Sequence, residues 1–103
     1  NKTVVIDIDG FLLEEKPTFE RILARPLKGA VELIKELYEK EYTVILWTAR
    51  GWAEYEMTKK QLNDYDIYYS VLLMGKPIAL VYADDRSVKT IDELRQRLGL
   101  NNV

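Results

Sequence analysis

Short apolar runs alternate along this chain with longer stretches in which apolar residues recur at helical spacing. The runs rich in Val, Ile and Leu predict strands at about residues 3 to 8, 43 to 48, 68 to 74 and 79 to 83. Residues 27 to 40 place Leu27, Ala30, Val31, Ile34, Leu37 and Tyr38 on one stripe, with Lys28, Glu32, Lys35, Glu36 and Glu39 elsewhere, which predicts an amphipathic helix. A second helix is expected after Gly51, with Tyr55 and Leu62 turned inward. The last helix opens on the capping box Thr90-x-x-Glu93, buries Ile91, Leu94 and Leu98, and stops at Gly99. This alternation predicts an α/β fold of three-layer, Rossmann-like type: a mostly parallel central sheet of about four strands with helices on both faces. Between Gly10 and Leu27 the period is lost and Pro17 and Pro26 appear, so this segment is placed to act as a gate.

Composition narrows the chemistry. A chain of 103 residues, 48% hydrophobic and 31% charged, fits one domain over residues 1–103. Its net charge of -2 argues against an affinity for nucleic acid that rests on general basicity. No apolar run approaches the roughly 18 residues of a membrane span, and the opening Asn1-Lys2-Thr3 leads straight into a strand, so we read the chain as cytoplasmic. It contains no cysteine and no histidine, which removes disulfides, thiolate chemistry and the commonest general base and transition-metal ligand. What is left for chemistry is carboxylates, lysine, hydroxyls and a hard cation. A core this small also leaves apolar sheet edge or helix surface exposed, and a homodimer is expected on that ground.

Each expected strand runs into a polar residue of the kind that handles phosphate. Asp7 and Asp9 end the first, Thr48 the second, Lys76 follows the third, and Asp84 and Asp85 end the fourth. In an open parallel sheet, ligands bind outside the carboxyl ends of the strands, so these side chains are expected at one edge. Gly10 lets the chain turn away from Asp9 without a side chain blocking a ligand. Two carboxylates about 5 Å apart repel by roughly 3 kcal/mol at an effective dielectric near 20. A divalent cation would relieve that repulsion, and all-oxygen ligation favours Mg2+ over zinc or copper. Lys76 and the Thr48 hydroxyl would supply a positive charge and a donor for phosphoryl oxygens.

The set DIDG at Asp7 to Gly10, WTAR at Trp47 to Arg50, GKP at Gly75 to Pro77 and ADDR at Ala83 to Arg86 resembles, in order, the haloacid dehalogenase superfamily of phosphohydrolases. The resemblance implies an aspartyl-phosphate on Asp7 and a general acid and base in Asp9. It implies phosphate binding by Thr48, Ala49 and Lys76. It also implies Mg2+ held by Asp7, the Asp9 carbonyl and Asp84 with help from Asp85. Arg50, Trp52 and Arg86 follow the motifs and are expected to meet the leaving group. No insertion after Asp9 or between Thr48 and Lys76 is long enough for a substantial cap domain, so the site is expected to be open. The pattern is similar to that of small capless proteins linked to capsule synthesis and of polynucleotide kinase 3'-phosphatase domains. The implied substrate is a sugar phosphate, a nucleotide or a nucleic-acid end.

Two features depart from the pattern. Phe11 stands where the family has Thr or Val, which repacks the turn or fills the mouth of the site. Only Gly75, Lys76, Pro77 and Ile78 separate Met74 from Ala79, too few for a parallel crossover. Either the third strand ends early and the chain crosses in extended form, or residues 69 to 83 form an antiparallel hairpin, or the C-terminal part swaps into a partner chain. Both departures favour an alternative function, a catalytically weak phosphate-binding or scaffolding module. Trp47 and Tyr82 lie in apolar runs and are expected in the core.

Overall fold

The structure, a computed structural model, describes residues 1–100. β-branched and Leu-rich segments form three strands, β1 (Thr3–Ile6), β2 (Thr43–Trp47) and β3 (Val71–Leu73). They pair in parallel in the order β1-β2-β3, with Ile6 opposite Leu46 and Leu46 opposite Leu72. Helix α1 (Ala30–Glu39) joins β1 to β2, α2 (Tyr55–Asp64) joins β2 to β3, and α3 (Ile91–Leu98) comes last. Short 3-10 turns at Thr18–Leu23 and Trp52–Glu54 fill the connections.

α1 starts three residues later than its stripe suggests. Gly29 sits at its N-cap with φ 84°, and the Leu27 amide is drawn instead to the Leu12 carbonyl at 2.8 Å. Its inward face is Ala30, Leu33, Ile34 and Leu37, while Tyr38 lies outside at 67% exposure. α2 turns Leu62 inward as expected, but its other buried positions are polar, Thr58 and Gln61. α3 keeps its cap: Thr90 Oγ1 accepts from the Glu93 amide at 3.0 Å, and Gly99 ends the helix in the left-handed region. It lies against α1, tied by Arg95 Nη2 to Glu36 Oε2 at 2.7 Å.

Handedness decides which face the helices cover. Right-handed crossovers that step the same way from β1 to β2 to β3 put both connecting helices on one side. Burial agrees: Val4, Ile6, Ile8, Val44, Leu46, Leu72 and Met74 are buried, while Val5, Trp47, Val71 and Leu73, on the alternate positions, are exposed. The expectation of helices on both faces is therefore corrected to one covered face. The expected fourth strand is corrected too. Residues 79–83 form no strand, with Leu80 at 101% and Tyr82 at 50% exposure. The third strand does end early, at Leu73, but the extended crossing expected to follow it delivers no fourth strand. Trp47, expected in the core, faces out at 36% exposure. Among the described residues no helix is long and apolar enough to cross a membrane.

These assignments predict that the amides of Val44 to Leu46 exchange hydrogen only on global unfolding, while those of Ala79 to Ala83 exchange without protection. Leu46→Ala, at a fully buried position, should cost about 2 to 5 kcal/mol in urea unfolding.

Candidate active site

Asp7 is the first residue beyond β1, and its Oδ1 accepts from the Ile8 amide at 2.8 Å. The chain then makes a tight loop: the Leu12 and Leu13 amides both return to the Ile8 carbonyl at 2.9 Å, and Gly10, at φ 83°, donates to Leu13 at 2.8 Å. A side chain at residue 10 would be strained at that φ, which accounts for the glycine. The loop holds Asp9 beside Asp7 at the carboxyl edge of the sheet.

Arg50 is fully buried and ties this loop to the rest of the molecule. Its Nε and Nη2 donate to Asp9 Oδ2 and Oδ1 at 3.0 and 2.9 Å. Its Nη1 donates to Thr58 Oγ1 at 3.0 Å and Gln61 Oε1 at 2.8 Å. Gln61 passes the connection on, donating to the Arg21 carbonyl at 2.7 Å, and Tyr65 donates to the Ala24 carbonyl at 3.0 Å. A buried guanidinium is tolerable only when its donors are matched, and here a planar fork meets a planar carboxylate. Arg50, expected to touch a leaving group, is thus placed in the interior, where it acts on the edge only through Asp9.

Thr48 is also fully buried, its Oγ1 accepting from the Arg50 amide at 3.1 Å, and Ala49 lies half-buried between them. The chain after β3 returns to this loop. Gly75, at φ 77°, donates to the Arg50 carbonyl and Lys76 to the Thr48 carbonyl, both at 2.8 Å. This keeps Lys76 at the carboxyl edge, its ammonium 5.3 Å from the centre of the Trp47 ring and 4.4 Å from that of Tyr82. Trp52 stands next to the same turn, its Nε1 3.5 Å from where a Cβ on Gly75 would sit.

Burial pushes the Asp7 carboxyl above its ordinary value. The Lys76 charge and the Ile8 amide pull it back, while Asp9 and Glu15 push it further up. Glu15 was not singled out from the sequence, since the loop that folds it back over Gly10 shows no period from which its position could be read. Thr58 and Gln61 were missed as well, although two polar residues three apart on the inward side of a helix are a legible sign of a buried polar partner.

Asp84, Asp85 and Arg86 are not brought to this group. They stand exposed on the connection between β3 and α3, where Asp84 Oδ1 accepts from the Arg86 amide at 2.8 Å. The donors for a hard cation are consequently divided. Asp7 offers carboxylate oxygen, Asp9 has both oxygens on Arg50 and keeps only its main-chain carbonyl, and no three carboxylates come together among the described residues. As placed, these residues do not complete an Mg2+ site. A groove of about 700 Å³ leads away from Gly10 and Phe11 between Lys28 and Lys89. A hollow of about 300 Å³ ringed by Tyr38, Tyr42, Tyr68 and Tyr69 also includes Val44 and Ser70, at the opposite edge of the sheet from the carboxylates.

No family model and no curated protein matches the sequence. Solved structures do. One is a crystal structure of a target protein from Vibrio cholerae, with TM-score 0.75 and 22% identity over 93% of this chain and 95% of that one. Another is a D,D-heptose 1,7-bisphosphate phosphatase from B. bronchiseptica complexed with magnesium and phosphate, with TM-score 0.59, 16% identity, 97% of this chain and 65% of that one. A third is the Pnkp1/Rnl/Hen1 complex, with TM-score 0.63, 22% identity, 96% of this chain and 44% of the matched one. The chain therefore spans nearly all of the first structure and two thirds or less of the other two.

The shifted carboxyl makes Asp7 a source of instability once ionised. A group whose pKa rises on folding contributes its full share below the ordinary value of 3.8 and loses it as pH climbs through the folded value. Asp7→Asn should therefore melt at a higher temperature than the parent at neutral pH, the difference vanishing in acid. Arg50→Ala, which strands Asp9 and the two α2 side chains, should cost about 3 kcal/mol or more in urea unfolding.

Proposed function

We propose that this chain, whose fold is haloacid-dehalogenase-like and capless, is a phosphatase that attacks phosphate monoesters with Asp7. The observation that carries the reading is the meeting at one sheet edge of Asp7, the Lys76 charge and an Asp9 clamped by a buried guanidinium. An Asp7 oxygen would form the bond to phosphorus as the ester oxygen leaves. Asp9, whose oxygens both accept from Arg50 at rest, would have to turn one of them from the guanidinium to give that ester oxygen its proton, then take one from the water that releases phosphate from Asp7. Arg50 would keep the other in place during both steps. Lys76 would neutralise the phosphoryl oxygens, with the Thr48 and Ala49 backbone beside it.

Magnesium belongs to the proposal on two supports: hard oxygen donors are what the chain offers, and the heptose bisphosphate phosphatase carries magnesium and phosphate. Asp84 or Asp85 would have to be drawn to Asp7 to complete its ligands. The leaving group, a sugar phosphate, nucleotide or nucleic-acid end, would lie in the groove at Phe11 between Lys28 and Lys89; Trp52, beside Gly75, and the exposed Arg86 would meet it only if that connection moved. The cytoplasmic placement is part of the same reading, since phosphorylated metabolites and nucleic-acid ends are substrates of that compartment.

The second reading, a phosphate-binding module without turnover, is favoured by the separation of Asp84 and Asp85 from Asp7. Phosphate release from a panel of p-nitrophenyl phosphate, sugar phosphates, nucleotides and 3'-phosphorylated oligonucleotides separates the two. Release should need Mg2+, stop with EDTA, vanish in Asp7→Asn, and fall about 100- to 10,000-fold in Asp9→Asn. An Asp7→Asn protein with full turnover would sink the phosphatase reading. Phosphate binding by calorimetry with no release from any substrate would favour the module.

A further inference from the structure

An Asp9 that works as an acid has to give up a bond to Arg50, and what the guanidinium does at that moment decides whether the carboxyl can return. The Asp9 side chain is 14% exposed and that of Arg50 0%, so the carboxyl is the outer, movable partner and the cation the inner one. Arg50 faces Asp9 with one edge, Nε and Nη2, at 3.0 and 2.9 Å. Its remaining nitrogen, Nη1, donates to two acceptors outside the Asp9 loop, Thr58 Oγ1 at 3.0 Å and Gln61 Oε1 at 2.8 Å. Both side chains are buried on α2. Two bonds at Nη1 fix the plane of the guanidinium whatever happens at its other edge. The Gln61 amide is itself fixed, because its Nε2 donates to the Arg21 carbonyl at 2.7 Å and lies 3.4 Å from that of Ala24, which turns its oxygen to Arg50. Both acceptors are also neutral. A carboxylate in either place would hold Nη1 more strongly but would share the charge now directed at Asp9.

We propose that Thr58 and Gln61 are positioning residues for the phosphatase reaction, a role that rests on the reading of Asp7 and Asp9 given above. They hold Arg50 still while Asp9 turns one oxygen out to the ester oxygen and back. The proton leaves that Asp9 oxygen for the ester oxygen as the phosphorus–oxygen bond breaks, and the water that attacks the aspartyl-phosphate returns one to it. A guanidinium tied only to Asp9 would follow the carboxyl outward, and the acid would lose its register with the ester oxygen.

Dependence on the leaving group tests this. p-Nitrophenolate departs with little need of a proton, whereas a sugar alkoxide has to be protonated, and kcat/KM reports the steps up to that departure. Thr58→Val and Gln61→Leu should lower kcat/KM about 10- to 100-fold for the alkyl phosphate that the parent hydrolyses best, and several-fold less for p-nitrophenyl phosphate. Thr58→Ser, which keeps the hydroxyl, should restore the ratio. A merely structural defect would lower both substrates alike. Circular dichroism and urea unfolding identify any variant that has lost the fold. Should Gln61→Leu be one, Thr58→Val beside Thr58→Ser, which alters a single small side chain, gives the answer alone. Folded variants that lose both substrates in equal proportion, or neither, overturn the positioning role and leave the phosphatase standing. A parent that releases phosphate from no ester overturns the phosphatase reading, and the positioning role with it.

Discussion

The carboxyl edge of this molecule is organised around one buried cation. Arg50 lies where the loop after β1, the loop after β2 and the inward side of α2 meet, and its guanidinium bonds to the first and third of these. Its carbonyl receives the Gly75 amide, which recruits the chain after β3 as well. A lysine could not replace it, since a point charge cannot hold both Asp9 oxygens and two α2 acceptors in one plane. The geometry of Asp9, and through the adjoining turn that of Lys76, follows from whether this group is satisfied.

The second constraint is topological. Stepping in one direction from β1 to β3 gives the sheet a covered face and an open one, and only a chain that returns past β1 can build a layer on the open side. Here no such layer forms among the described residues. The apolar sequence of residues 79–83 is suited to a strand, yet it pairs with none, so its side chains remain outside. Lys76 stays at the carboxyl edge because Gly75 and Lys76 are pinned to the β2 loop before the chain can leave.

Much of this was readable in the sequence wherever the signal is local. The Asp7 to Gly10 turn, the Thr90 cap and the inward stripe of α1 each follow from residue types within a few positions. The places that could not be read depend on which distant groups meet. Arg50 looks like a surface residue after a strand until Thr58 and Gln61 are seen to present acceptors from the next helix. Trp47 lies in an apolar run of five and was expected inside, but its alternation with Leu46 puts it on the face the crossovers leave uncovered. Tyr82 fails for a different reason, since its burial needed a fourth strand that residues 79–83 do not form.

Asp7 shows why the connection after β3 matters to chemistry as well as to shape. Burial disfavours the Asp7 carboxylate, with Asp9 and Glu15 adding to that, and Lys76 and the Ile8 amide offset it only in part. Asp9 cannot help, because both its oxygens are occupied by Arg50. In the proposed reaction Asp7 must be ionised, and a further positive charge beside it would favour that form. Asp84 and Asp85 alone would worsen the deficit; with a divalent cation between them and Asp7 they would relieve it, since two added charges outweigh the repulsion they bring. Under the proposed function, arrival of the acidic pair and binding of the cation would be favourable only together.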